Sequence, residues 1–220
     1  RIAEHTEDLE RQVAERTEML EQVAHTDFLT GIMNRRGVLL RLEAERNRLA
    51  RTGGLLAVLL VDVDHFKQIN DTWGHAVGDR ALVAVARVLQ ATVRDYDLVA
   101  RWGGEEFLIA LFGLNEFGEL QLVADKLLAA IRQQDLEIGE ARIDLTYSIG
   151  GVMASPQSEL DAIVRQADEA LYRAKNEGRD RAVLDCLMVD PSGCEQPNCH
   201  GDGRGCPVAL KENCCGAGST

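Results

Sequence analysis

Residues 55–63 (Leu-Leu-Ala-Val-Leu-Leu-Val-Asp-Val) form an almost unbroken apolar run that holds one acid, Asp62, near its end. Runs of this kind are strands covered on both faces. A second pattern follows: Leu98-Val99-Ala100 and Leu108-Ile109-Ala110-Leu111 flank a polar centre built on Gly103 and Gly104. It predicts a β-hairpin over 97–112 with a Gly-rich turn, whose glycines are free to take positive φ and let a ligand approach the backbone. Elsewhere apolar residues recur at helical spacing. Helices are expected over 35–51 (closed by Gly53-Gly54), 79–93, 115–134 and the Ala-rich 157–176, with a short one within 64–73. Alternation over 141–153 predicts a strand, and 181–187 a last short one. The order is β-α-β-β-α-β with added elements, an α+β chain with a ferredoxin-like core.

The two ends read differently. In residues 1–24, Ile2, Thr6, Leu9, Val13, Arg16, Leu20 and Val23 recur at spacings of four and three, with Glu and Arg between them. This is an N-terminal coiled-coil helix, read as a parallel dimer stalk rather than as a helix packed on its own domain. Asp27, Thr30 and Gly31 then break the helix, and the main domain runs over 25–187. Residues 188–220 are rich in Gly and Cys and hold few apolar residues, so they cannot build a core. The six cysteines (Cys186, Cys194, Cys199, Cys206, Cys214, Cys215) do not form paired C-x-x-C motifs, and His200 lies among them. A metal or iron–sulfur site, a redox-sensing tail and plain disorder all stay open; a flexible tail with some metal affinity is favoured.

Composition narrows the class. A net charge of -12 over 220 residues argues against sequence-independent nucleic-acid binding, so any polyanionic nucleotide must be met by local cations. No apolar run reaches the ~18 residues of a membrane span, and nothing resembles a signal peptide, which fits a cytoplasmic enzyme domain. The chain opens on Arg1 rather than Met and is expected to be part of something longer, with a sensor upstream.

The acids carry the candidate chemistry. Asp62 closes a buried strand, which is costly unless it is paired or bound to metal. Glu105 and Glu106 follow the double glycine and repel each other, and a divalent cation bound to a phosphate would relieve both. The plainer alternative for this motif alone is an acidic hairpin tip facing water.

Together, DVDHFKQINDTWGHAVGD (62–79) and RWGGEEF (101–107) resemble the GGDEF family, the diguanylate cyclases. The resemblance covers about residues 25–185; it includes DFLTGIMNRR (27–36), similar to the family's D-x-L-T-G-x-x-N-R-R, and KNEGR (175–179), similar to its K-x-x-G-R. It implies a core shared with the adenylyl cyclase catalytic domain and a reaction that joins two GTP into cyclic di-GMP with release of two pyrophosphates. It also implies two magnesium ions per site, with manganese as an alternative, held by Asp62, the Val63 carbonyl and Glu106. Glu105 is then placed at the reacting 3′-hydroxyl, and the division of roles between the two Glu stays open. Lys67 and Lys175 become phosphate clamps with Arg179 beside them. Asn70 and Asp79 become guanine readers, because a carboxylate accepts from the N1/N2 edge that adenine lacks. His75 is a substrate contact or a packing residue, and Gly103 and Gly104 line the approach. Arg94 and Asp97 match the family's R-x-x-D inhibitory site for cyclic di-GMP, against the alternative of a helix end stapled by an ion pair. Each domain would hold one GTP, so a homodimer is implied. The alternatives are a catalytically silent module that binds GTP or cyclic di-GMP, and a dimerising scaffold.

Overall fold

The structure, a computed structural model, describes residues 25–133, 136–138, 141–189 and 195–197. The expected stalk over 1–24, every cysteine except Cys186, and His200 lie outside the described residues. In chain order the elements are β1 (Met33–Asn34), α1 (Arg35–Thr52), β2 (Leu55–Val63), α2 (Phe66–Trp73), α3 (His75–Thr92), β3 (Leu98–Gly103) and β4 (Glu106–Leu114). They continue with α4 (Phe117–Arg132), β5 (Leu136–Ile138), β6 (Ala141–Ile143), β7 (Tyr147–Ala154), α5 (Leu160–Asn176), β8 (Ala182–Val189) and β9 (Glu195–Pro197). No helix among the described residues is long and apolar enough to cross a membrane.

Seven strands form one sheet in the order β1-β3-β4-β2-β7-β8-β9. Its centre, β3-β4-β2-β7, is antiparallel throughout, with β2 and β3 joined by helices across the intervening β4. That is the split β-α-β arrangement the element order predicts. β1 adds to one edge in parallel, and β8 and β9 extend the other.

The apolar run of β2 is explained by layers on both sides. Ala57, Leu59, Val61 and Val63 pack into a core shared with α3 and α4. Leu56, Val58 and Leu60 face the opposite core, shared with α1 and α5. On the α5 side contact is close: a Cβ at Gly150 on β7 would lie 2.0 Å from Leu171 N and 2.2 Å from the Ala167 carbonyl. Only glycine admits the helix at this distance. At the start of β7, buried Tyr147 donates its hydroxyl to the Leu127 carbonyl, tying the strand to α4. Burial also pushes its hydroxyl pKa up.

Three sequence expectations need correction. The alternating stretch 141–153 is not one strand: Ala141–Ile143 pairs with Leu136–Ile138 in a separate hairpin, and only Tyr147–Ala154 joins the main sheet. Between them Thr146 turns to Asp64: its carbonyl accepts from Asp64 N at 2.9 Å and its hydroxyl donates to Asp64 Oδ2 at 2.9 Å. The helix expected from 79 starts at His75, because Gly74, at φ 82°, ends α2 and admits α3 at once. β8 runs two residues past the expected 187 to Val189 and pairs with Glu195–Pro197, so part of the Cys-rich segment contributes a sheet edge.

Candidate functional site

β2 and β4 are hydrogen-bonded neighbours, and their register sets Asp62 directly opposite Glu106. Cross-strand partners in an antiparallel pair lie about 5 Å apart at Cα and point to the same face. The carboxyl groups that the sequence assigned to one site are therefore brought together. The double-glycine turn is tighter than expected. Gly103 still belongs to β3 and pairs with Glu106, so only Gly104 (φ 38°) and Glu105 form the loop. Of the two glycines expected to take positive φ, only Gly104 does. The register shifts between Arg101 and Gly103, which makes Trp102 a bulge beside the acids. Glu105 is held by its own carbonyl, which accepts from Val63 N at 3.3 Å.

Asp62 lies on the α5 side of the sheet and is 8% exposed. Lys175, from the last turn of α5, sets its Nζ 2.8 Å from Asp62 Oδ2. Burial raises the pKa of Asp62, Lys175 opposes that, and the charges of Glu105 and Asp64 add to the rise. Glu106 is raised as well, first by burial and next by the charge of Asp62, with Asp168 and Glu105 contributing. Asp168 on α5 was not read from the sequence, where its helix was read only as Ala-rich. Its influence on Glu106 appears only once α5 is laid across the sheet.

Among the described residues no three Asp, Glu, His or Cys groups cluster as a finished metal cage. Two carboxylates beside a strand-end carbonyl nonetheless match what a hard divalent ion takes when most remaining ligands are water and phosphate oxygens. The raised pKa values of both acids are what such a cation would relieve, so the residues fit the group.

Burial of the Glu106 carboxylate, and next its repulsion by Asp62, should weaken the fold. In metal-free solution at pH 7, Glu106→Gln is expected to raise the melting temperature by about 2 °C. A carboxylate whose folded pKa is raised weakens the fold as pH climbs through that value. At about pH 4, near its ordinary value, native Glu106 is largely protonated and the gain should vanish. Thermal melts at both pH values check this, and a gain that grew in acid would contradict it.

The second part of the site lies on the other face, where α2 meets α3. Asn70 is half-buried and Asp79 exposed. They are brought close by Gly78: a Cβ there would lie 1.9 Å from Asn70 Oδ1 and 3.1 Å from Phe66 Cζ. Gly78→Ala should therefore displace the Asn70 amide and weaken guanine-nucleotide binding about tenfold at near-native melting temperature, as read by calorimetric titration. Lys67 and His75 are exposed on the same two helices. His65, which precedes α2, sits in the left-handed region at φ 55°, strain of the kind functional loops carry.

Arg101 links the turn to the start of the domain. Its Nε and Nη2 donate to the Gly104 carbonyl at 2.9 and 2.8 Å, and its Nη1 reaches both Asp27 carboxylate oxygens at 3.3 Å. Burial alone would raise the pKa of Asp27, but hydrogen bonds from Thr30 and the charge of Arg101 hold it below the usual carboxylate range.

Arg94 and Asp97 sit together after α3, but not as an ion pair. Asp97 accepts from the backbone N–H of Arg94 at 3.1 Å and of Phe112 at 3.2 Å. The Arg94 guanidinium instead donates to the Tyr96 hydroxyl at 2.6 Å. The staple is thus carboxylate to backbone, and the guanidinium stays in solvent beside a cleft of ≈ 430 Å³.

Comparison with known proteins matches the chain to one family over most of its length. Residues 24–181 match the family described as "Diguanylate cyclase, GGDEF domain". The chain is 41% identical over 160 residues to diguanylate cyclase DgcP of Pseudomonas aeruginosa, covering 73% of this chain and 24% of that protein. It is 38% identical over 172 residues to diguanylate cyclase DosC of Escherichia coli, covering 76% of this chain and 37% of that protein. It therefore spans between about a quarter and two fifths of these relatives. Among solved structures it is similar to the coiled coil and GGDEF domain of DgcB from Caulobacter crescentus in complex with c-di-GMP, with TM-score 0.74 and 29% identity over 84% of this chain and 97% of that one. Diguanylate cyclase SiaD of Pseudomonas aeruginosa, solved with its activator SiaC, is similar at TM-score 0.70 and 35% identity over 85% of this chain and 70% of that one.

Proposed function

The chain belongs to the GGDEF-domain family of diguanylate cyclases, and from that premise we propose that it condenses two GTP into cyclic di-GMP with release of two pyrophosphates. The observation that supports this most directly is the pairing of Asp62 with Glu106 beneath Lys175. Asp62, the Val63 carbonyl and Glu106 would hold two magnesium ions, or manganese in their place. Bound there, such ions lower the pKa of a ribose 3′-hydroxyl and neutralise the leaving pyrophosphate.

The chain's own residues do the rest. Glu105, in the turn, would take the proton of a 3′-hydroxyl presented by a facing nucleotide. Lys175, whose Nζ lies 2.8 Å from Asp62 Oδ2, would bind the phosphate oxygens beside the metal-holding acids. Lys67 and Arg179 complete the phosphate contacts, and Gly103 and Gly104 leave room for them. Asn70 and Asp79 read the guanine edge, with His75 beside them. One domain binds one GTP, so two domains must face each other and a homodimer is the active form. An upstream sensor would act by setting that geometry.

Incubation with GTP and magnesium, followed by chromatography, tests the proposal. Cyclic di-GMP should form at a specific rate that climbs with protein concentration. Retention of GTP without product would instead support a silent binding module. Product should also feed back at Arg94 and Asp97. Arg94→Ala is the informative variant, because Asp97 also holds two backbone amides. It should raise the inhibitory concentration of cyclic di-GMP by about tenfold with unchanged initial rate; unchanged inhibition in steady state contradicts the site.

A further inference from the structure

The turn after α5 is strained and heavily restrained. Gly178, Arg179 and Asp180 all have positive φ, at 118°, 63° and 47°. Two adjacent non-glycine residues in that region persist only where their surroundings over-determine them. The restraints converge on Asp180. Its N–H donates to Asp64 Oδ2 at 3.0 Å. Its carboxylate accepts from Arg132 Nε at 3.0 and 3.1 Å, and its carbonyl accepts from Arg132 Nη2 at 2.9 Å.

Asp64 is unusual in its own right. It is 5% exposed, and its other bonds are to the hydroxyls of Thr146 at 2.9 Å and Ser148 at 2.8 Å. Among the described residues, no cation lies within ion-pair distance of it. A buried carboxylate satisfied only by neutral donors is costly to keep. Here it joins the end of β2, the start of β7 and the turn after α5.

That turn carries Arg179, whose N–H caps α5 through the Ala174 carbonyl at 3.0 Å, next to Lys175. The conformation of 178–180 thus sets where Arg179 leaves the backbone relative to Lys175. The Asp64 bond sets the same turn relative to Asp62 and Val63.

We infer that Asp64 and Arg132 are positioning residues that clasp Asp180 from the buried and the solvent side, and so hold Arg179 and Lys175 in one arrangement for the terminal phosphates of the nucleotide. The inference rests on the proposed reading of Lys175 and Arg179 as phosphate clamps. Neither Asp64 nor Arg132 needs to touch substrate.

Equilibrium titration of the full chain with GTP and with GMP tests it, alongside steady-state kinetics. Arg132→Gln lies at a half-exposed site and should fold. It should weaken GTP binding about fivefold, leave GMP binding unchanged, and raise KM more than it lowers kcat. In an Arg179→Ala background it should add clearly less than fivefold, about twofold, because only Lys175 is then left for the clasp to present. Additive losses, or equal losses for GTP and GMP, would overturn the inference. Asp64→Asn can offer its oxygen to Asp180 N–H and its amide to the Ser148 hydroxyl, so it should retain GTP affinity that Asp64→Ala loses. Equal losses in both variants would make the charge itself the requirement and overturn the positioning role. Wild-type protein that binds GTP no better than GMP would refute the phosphate-clamp reading, and this inference with it, before any variant is read.

Discussion

Asp62→Ala should reduce formation of cyclic di-GMP by about a thousandfold or more while leaving the fold intact. The size follows from what the residue is asked to supply: removing one preorganised charge partner of a transition state costs about 10²–10³ in rate, and a lost cation site costs more. The fold should survive because Asp62 is a liability to stability. Burial and the nearby acids raise its pKa, and Lys175, whose side chain is 31% exposed, can return to water once its partner is gone. The variant is therefore expected to melt within about 3 °C of wild type. Product assay and thermal melt on one preparation check both halves. A fully productive Asp62→Ala enzyme would remove the basis of the proposed site.

Gly150→Ala is the converse experiment, aimed at the scaffold. The added methyl would sit 2.0 Å from Leu171 N and 2.5 Å from Leu171 Cα, both backbone atoms of α5 that no rotamer change can move. The helix must retreat from β7, opening the core that holds Ile163, Ala167 and Leu171. A loss of about 3 kcal/mol or more is expected, at the upper end for overpacking because backbone must shift. Denaturant unfolding measures it directly. Activity should fall too, since the same helix delivers Lys175 to Asp62, and a high magnesium concentration should not restore it. Wild-type stability in this variant would mean that α5 does not pack on β7 as described.

Much of this was legible in the chain, and the reasons are physical. β2 could be bounded to the residue because an apolar run with no alternation has one common explanation, cover on both faces, and both covers are present. The acids were assigned to one site through the resemblance, and their convergence depended on the strands being neighbours, which β2 and β4 are. What stayed hidden depends on contacts between distant segments. The strand expected over 141–153 was broken by Asp64, 82 residues away from its partner Thr146. Local alternation carries no trace of such a bond. Asp64 itself was passed over as the second acid of a motif, because nothing local says that its partners are two hydroxyls and an amide. Gly150 was read only as one residue of the strand over 141–153, and only the helix lying on it shows why a side chain is excluded.

The guanidinium of Arg101 is shared between Asp27, three residues into the domain by the expected boundary, and the carbonyl of Gly104 in the turn that leads into Glu106. Asp27 and the turn are thus two non-covalent links apart, on opposite sides of one planar group. A twist or tug delivered to the chain at Asp27 cannot dissipate in a soft loop before it arrives: it either reorients that plane, and the turn with it, or unhooks the aspartate.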